Sequence, residues 1–337
     1  MSVTFWVTSD CNLNCKYCYE GSDKHKKYMS RNIVDKSIDQ IFSYSKYIDK
    51  DSFMVLLHGG EPFLAFDIIK YIVARLKKEC MDRGIKISFA TTTNATILND
   101  EMINFIIQEI PNITVSLDGT KETHDKMRPF KNGNGSHKIA LENSLKLLKH
   151  LPNIRLRTTF DSTSIGSLYQ DIKFLIDNGF KYIVPAPNLF DKDWSKKGLD
   201  ILEEQMRLLK KYIKDKKDVS VSILDRDLFS LKGSCTGGKS TFNIYPNGEL
   251  YPCTMAAGNK EFCIGNIYDG IDINKRDKLL SYSEKTNLEC EGCTLYNFCI
   301  GPRCKIINKL LTNDYLSASP VHCAIENLQY KVNILEM

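Results

Sequence analysis

The chain has 337 residues, 42% of them hydrophobic and 26% charged, and a net charge of +5. This describes a globular protein with a full core and room for two domains. No apolar run reaches the roughly 20 residues of a membrane span, and the basic stretch 210–217 reads as a solvated helix face, so neither membrane nor nucleic acid is an expected partner. The first residues carry no basic-then-apolar export signal, so the twelve cysteines point to metal thiolates in a reducing cytoplasm rather than to disulfides.

In chain order, Val3–Val7 reads as a strand that leads into a loop holding Cys11, Cys15 and Cys18. A helical period follows over Asn32–Ser45, then a short apolar strand Phe53–Leu57 and the sequence His58-Gly59-Gly60-Glu61-Pro62. Two glycines let the backbone approach a ligand closely, and the Glu61 carboxylate could accept from an ammonium or simply cap a turn. A helix is expected over Phe66–Cys80, a strand over Lys86–Thr92, a helix over Asp100–Ile107 and a strand over Asn112–Leu117. The pattern continues with a helix over Ser136–Leu148, a strand Ile154–Thr159, a helix Ser167–Asp177 and a strand Lys181–Ala186. Six β–α repeats imply a parallel sheet with helices outside. Functional groups in such sheets gather at the carboxyl ends of the strands, which is where Cys11–Cys18, Gly59–Glu61, Asn94, Ser116 and Asp118 fall. Past residue 190 comes a connecting helix, Gly198–Lys217. Beyond Lys232 follow glycines, short strands, a hairpin over Phe242–Tyr251 turned at Pro-Asn-Gly, and eight of the twelve cysteines.

The spacing Cys11-x3-Cys15-x2-Cys18, with Tyr17 before the last cysteine, leaves one iron of a [4Fe-4S] cluster without a protein ligand, where most such clusters take four cysteines. It resembles the radical S-adenosylmethionine (SAM) superfamily. That resemblance implies an α/β fold, a partial (β/α)6 TIM-like barrel over residues 1–190, in which Cys11, Cys15 and Cys18 hold a cluster that binds SAM. It extends to Gly59-Gly60-Glu61, similar to the family's GGE motif, which contacts the amino group of SAM. Thr93-Asn94-Ala95 matches less well, since relatives carry Thr-Asn-Gly. Ser116-Leu117-Asp118-Gly119 and His124-Asp125-Lys126-Met127-Arg128 resemble a maturase segment in which Ser116 and Arg128 hold the ribose and the methionine carboxylate. Arg suits planar carboxylate binding. Tyr17 would wall the adenine, its backbone making the contact, and His124 would stabilise the loop. A zinc site is the rival for three cysteines, but a structural one normally closes with four ligands.

Cys290-x2-Cys293-x5-Cys299-x4-Cys304, with Cys323 further on, resembles the SPASM domain, here residues 231–337 after a linker at 191–230. The resemblance implies two auxiliary [4Fe-4S] clusters. Cys290, Cys293, Cys299 and Cys323 would hold one; Cys235, Cys253 and Cys304 would hold the other. Relatives with a full set carry one more cysteine shortly after the first, and 236–241 contains none. Either Cys263 is the fourth ligand, or that cluster keeps an iron open to a substrate thiolate, the arrangement favoured here. A zinc ribbon is the alternative for this half and would be colourless where clusters are brown. Cys80 is expected to be a plain cysteine.

Fold does not determine the reaction. The SPASM group implies a peptide or protein substrate and an electron donor such as flavodoxin or ferredoxin. The segments 250–254 and 262–267 resemble maturases of ribosomally made peptides, which points to a cross-link, first of all a thioether. An anaerobic sulfatase-maturating enzyme is the runner-up. Such relatives place an Asp after the cysteine matching Cys253, and Thr254 is a poor base. An epimerase and a multi-cluster electron carrier are further alternatives. Ten residues before Cys11 are too few for a leader-binding domain, so leader recognition, if needed, is expected from a separate protein or from the barrel's own edge.

Overall fold

The computed structural model describes residues 1–21, 26–43, 48–224 and 227–334. Six β–α repeats open it. They are β1 (Ser2–Thr8) and α1 (Arg31–Ser43), β2 (Phe53–Gly59) and α2 (Phe66–Asp82), β3 (Ile87–Thr93) and α3 (Asp100–Glu109), β4 (Asn112–Ser116) with α4 (Lys121–Met127) and α5 (His137–His150), β5 (Arg155–Phe160) and α6 (Leu168–Asp177), and β6 (Tyr182–Pro187) and α7 (Lys196–Ile213). Short elements follow: β7 (Ser220–Val221), β8 (Thr241–Ile244), β9 (Glu249–Tyr251), β10 (Gly265–Asn266), β11 (Gly270–Ile271), α8 (Ile273–Ser283), α9 (Lys305–Thr312) and α10 (Pro320–Ile334). No helix of the described residues is long and apolar enough to cross a membrane.

The chain forms two compact units. The first is Met1–Asn12, Glu20–Thr114 and Thr236–Ser281; the second is Leu13–Tyr19, Val115–Cys235 and Tyr282–Met337. In the first unit seven strands lie in the order β11-β10-β9-β8-β1-β2-β3. The pairs among β8, β1, β2 and β3 are parallel and those from β8 to β11 antiparallel. Val3, Phe5, Val55, Leu57 and Phe89 are buried in it, with Ile69, Ile72, Val73 and Leu76 of α2; β1 is buried almost continuously, as a strand covered on both faces is, whereas β2 alternates and leaves Met54 exposed. The β1–β2 register shifts between Trp6 and Thr8 so that Thr8 pairs with Gly59. That shift sets the end of β1 beside the glycine pair and extends β2 two residues beyond its predicted end. The predicted hairpin forms as β8 and β9, and Gly248 takes φ +84° in its turn.

In the second unit β5, β6 and β7 are parallel. Along β5 Leu156, Thr158 and Phe160 are buried, while Arg155 and Arg157 alternate with them and are exposed, so the period of two sends the arginines to the opposite face. Leu202, Met206 and Leu209 of α7 are buried, and Lys210 Nζ donates to Val332 O of α10 at 2.8 Å.

Several ends differ from expectation. The first helix is described as far as Ser43, and residues 44 and 45 of its expected range lie outside the described residues. Helix α7 begins at Lys196 because Ser195 Oγ accepts from Gly198 N at 3.2 Å, capping it. It ends at Ile213 rather than Lys217. Helix α4 has no counterpart in the sequence reading, because seven residues with few apolar positions carry no helical stripe.

Candidate functional site

In the first unit the end of β1 is held by backbone. Asp10 N donates to Thr8 Oγ1 at 3.0 Å, and Cys11 N to Asp10 Oδ1 at 2.9 Å. Gly60 N donates to Thr8 O at 3.1 Å and Glu61 N to Asp10 O at 2.8 Å. A Cβ on Gly60 would stand 2.3 Å from Asp10 O, so only glycine permits this approach beside Cys11. Glu61 is fully buried. Its Oε1 accepts from Thr93 Oγ1 at 2.8 Å and Phe63 N at 3.2 Å, and its Oε2 from Asn94 N at 2.7 Å. These three donors occupy most of a carboxylate's roughly four acceptor positions. Glu61 therefore ties the end of β2 to the end of β3, a scaffold role beside the ligand role expected of it.

Asn94 continues the network. Its Nδ2 donates to Asn12 Oδ1 at 2.9 Å and lies 3.9 Å from Cys11 Sγ, and its Oδ1 accepts from Thr96 N at 2.9 Å. Ala95, where relatives carry glycine, is buried at φ +58°. The backbone conformation is thus the one glycine adopts readily, and the alanine bears its cost.

In the second unit the loop carrying Cys15, Tyr17 and Cys18 turns through Cys18 N to Cys15 O at 3.2 Å. It hangs on the end of α4 through Lys16 N to Met127 O (2.9 Å) and Asn14 N to Pro129 O (2.8 Å). The Tyr17 hydroxyl donates to Asp118 Oδ2 at 2.5 Å and accepts from Arg128 NH1 at 2.6 Å. Asp118 Oδ1 accepts from Thr159 N at 3.0 Å. Burial raises the Tyr17 pKa well above its ordinary value, and Asp118 adds to that, while Arg128 opposes it. Burial likewise raises Asp118. Burial works against the Arg128 charge, but Cys15, Tyr17 and Asp118 more than offset it, so its pKa stays well above the usual value. Arg128 Nε is buried with no hydrogen-bond partner. A buried cationic N–H left over in this way fits an anionic group of a ligand.

His124 is buried beneath this corner. Its Nδ1 accepts from Asp118 N at 3.3 Å; its Nε2 lies 3.0 Å from Ser136 Oγ, which donates to Arg128 O at 2.5 Å. Burial lowers its pKa well below the ordinary value, in keeping with a neutral loop-holding imidazole. Ser116 ends β4, half-buried.

The second unit also gathers cysteines. Burial raises Cys290, and Cys323 and Cys293 raise it further. Burial and then Cys293 raise Cys323. Burial pushes Cys299 up to about 11, with Cys323 and Cys290 among its charged neighbours and Gly301 N donating to its sulfur at 3.3 Å. Asn327 Nδ2 donates to Cys323 Sγ at 3.4 Å. Four thiols that feel one another, two with N–H groups aimed at sulfur, are a suitable donor set for a cluster. Among the described residues no three His, Cys, Asp or Glu side chains close on a single ion. Cys304, raised by burial, sits at the start of α9 and has Cys235 as a neighbour. In the first unit Cys253 precedes a short turn, and Cys263 Sγ donates to Gly265 O at 3.3 Å. Cys80 is buried with its pKa pushed up to about 11, an inert core thiol.

Sequence reasoning missed the Tyr17–Asp118–Arg128 linkage, since Tyr17 lies 101 and 111 positions from its two partners.

Comparison with known proteins adds the following. The family model of the radical SAM superfamily matches residues 7–166. The chain is 30% identical over 276 residues to an uncharacterised protein of Methanocaldococcus jannaschii, covering 78% of this chain and 87% of that one. It is 24% identical over 327 residues to the cysteine-type anaerobic sulfatase-maturating enzyme of Clostridium novyi, covering 87% and 84%. The solved structure of native anSMEcpe with bound AdoMet and Kp18Cys peptide matches with a TM-score of 0.80 at 19% identity, over 98% of this chain and 96% of that one. Streptococcus suis SuiB bound to precursor peptide SuiA matches with a TM-score of 0.67 at 16% identity, over 96% and 75%. The structural likeness shows the fold, a mixed α/β partial barrel with a parallel sheet.

Proposed function

Since the chain belongs to the radical SAM superfamily, we propose that it modifies a peptide or protein and closes a thioether between a substrate cysteine and a carbon of the same chain. A [4Fe-4S] cluster with SAM bound would supply a carbon-centred radical able to remove hydrogen from an unactivated C–H bond. Cys11, Cys15 and Cys18 are the residues to hold that cluster. In this reading Arg128 holds the methionine carboxylate through its unsatisfied Nε, and Asp118 and Tyr17 keep its guanidinium in place. Tyr17 thus acts through its hydroxyl as well as its backbone. Gly59, Gly60, Glu61, Asn94 and Ser116 complete the SAM site, with Glu61 and Asn94 bracing the strand ends.

Residues 1–190 serve as the radical-generating part, 191–230 as a connector and 231–337 as the auxiliary-cluster part. Cys290, Cys293, Cys299 and Cys323 would hold one auxiliary cluster. Cys235, Cys253 and Cys304 would hold a second. The observation that favours a thioether is the lack of a fourth cysteine for the second set: 236–241 contains none, and Cys263 Sγ is turned toward Gly265 O at 3.3 Å. This supports a three-cysteine set with a position for the substrate thiolate. The peptide would exchange one C–H and one S–H bond for one C–S bond and become two hydrogens lighter. The hydrogen atom from carbon would end on the 5′-deoxyadenosine released from SAM, the sulfur proton would pass to water, and the remaining electron would leave through an auxiliary cluster. A flavodoxin or ferredoxin as electron donor, and a separate leader-recognition protein, belong to the same proposal, as does a cytoplasmic setting.

A second reading is formylglycine formation on a sulfatase. It is favoured by the similarity to the Clostridium novyi enzyme along most of both chains. Thr254 weighs against it, as a hydroxyl is a poor proton acceptor at neutral pH. Mass spectrometry decides. Cysteine-containing peptides encoded beside the gene are incubated anaerobically with SAM and a reductant in heavy water. Loss of two hydrogens with a cysteine that no longer alkylates is the expected result. Conversion of a sulfatase peptide alone would establish the second reading, and deuterium gain without other change would make the enzyme an epimerase.

A further inference from the structure

The second unit contains a cavity of ≈ 440 Å³, within the 300–1,000 Å³ usual for ligand sites. Its walls are chiefly aliphatic: Leu189 after β6, Ile223 after β7, Ile307 of α9 and Ile325 of α10. Arg157 of β5 projects into it. The Arg157 guanidinium has neither hydrogen bond nor ion pair among the described residues. Its nearest charged influences are Tyr17, Tyr19 and Asp118, and Asp118 is already engaged by Tyr17 and Thr159 N. Burial lowers the Arg157 pKa, the mark of a cation crowded by protein although it opens to the cavity. On α10, Glu326 also lines the cavity, 3.9 Å from His322, and both are buried.

An exposed guanidinium at the wall of a largely aliphatic cavity, without a protein partner, is free to take a carboxylate through a two-pronged hydrogen bond. We propose that this cavity is an anion-anchoring substrate subsite in which Arg157 binds a carboxylate carried next to an aliphatic side chain. This rests on the peptide-modifying reading and narrows it: the substrate segment presents an acidic residue, or a chain-terminal carboxylate, beside a Leu-, Ile- or Val-like residue. The electrostatic link from Arg157 to Tyr17 and Asp118 relates this subsite to the corner assigned to SAM. Aliphatic walls discriminate weakly among apolar residues, whereas a group placed to hydrogen-bond a carboxylate discriminates against its neutral isostere. Arg157 is therefore the specificity-determining group.

The test is a binding measurement on the full, cluster-loaded chain, anaerobic and saturated with SAM. The probes are 4-methylpentanoate and its neutral amide, titrated by calorimetry against the parent, Arg157→Gln and Arg157→Lys. The expected result is saturable binding of the acid by the parent, about tenfold or more tighter than the amide, and loss of that preference in Arg157→Gln. Arg157→Lys keeps the charge without the fork and is expected to retain part of the preference, which separates a lost anchor from a lost fold. Equal binding of acid and amide, or an unchanged preference in Arg157→Gln, overturns the proposal. Displacement of SAM by the acid overturns it too, because the cavity would then belong to the SAM carboxylate. None of these readouts involves turnover, so failure here leaves the peptide-modifying reading to its own mass measurement.

Discussion

Two strand-end corners of this molecule carry buried charge, and they are finished differently. Around Glu61 in the first unit each carboxylate oxygen has a donor from the protein. Around Arg128 in the second unit the guanidinium is held on one side by Tyr17, while Nε is buried with no acceptor. The first corner is complete without a ligand and reads as scaffold. The second is short of one anion. The lesson is that a motif residue's role follows from which of its hydrogen-bonding positions the protein has already filled. By that measure Glu61 has its oxygens taken up by the protein, while Arg128 keeps a buried N–H for the ligand role proposed for it.

The comparison can be broken most forcefully at Gly60. Gly60→Ala drives a methyl to 2.3 Å from Asp10 O, against backbone rather than a yielding side chain. A loss on the order of 3 kcal/mol is expected, with failure to retain iron at the neighbouring Cys11. Denaturant unfolding and an iron assay check it; retention of both would mean that the two segments can part without consequence. A smaller effect is expected from Glu61→Gln. The amide offers one acceptor where the carboxylate offers two, and its NH2 must face Asn94 N or Thr93 Oγ1. One donor left unsatisfied costs about 1–3 kcal/mol, visible in the same unfolding experiment. The smallest effect is expected at Ala95. A buried alanine replaced by glycine loses about 0.8 kcal/mol of burial and up to about 1 kcal/mol in chain entropy. Release from φ +58° returns about 1–2 kcal/mol. Ala95→Gly is therefore expected within about 1 kcal/mol of the parent, and a larger loss would mean that the left-handed backbone is not strained there.

Much of this was legible beforehand, and the reasons are physical. The six repeats show because short apolar strands, alternating where one face is open, stand between helices that carry a 3.6-residue stripe. The cysteines stand out because their spacing is of the kind that cluster ligation imposes. Helix α4 was hidden because its seven residues display no stripe. The Tyr17–Asp118–Arg128 linkage was hidden because residues 17, 118 and 128 are joined only by the topology. Glu61 was legible as important, but whether its oxygens face a ligand or the protein depends on where Thr93 and Asn94 arrive, which no local pattern encodes. At Ala95 the departure from the relatives' glycine was visible, yet the backbone kept the conformation glycine would take.

The most direct test of the contrast between the corners is one SAM titration of the cluster-loaded protein, run in parallel on the parent, Arg128→Lys and Glu61→Gln. Lysine keeps the charge beside Asp118 but removes Nε and the planar fork. Arg128→Lys is expected to weaken SAM binding by about tenfold or more, while Glu61→Gln, although less stable, binds within about threefold of the parent. The reverse pattern, with SAM affinity lost at Glu61 and kept at Arg128, would contradict the assignment of scaffold to one corner and ligand to the other.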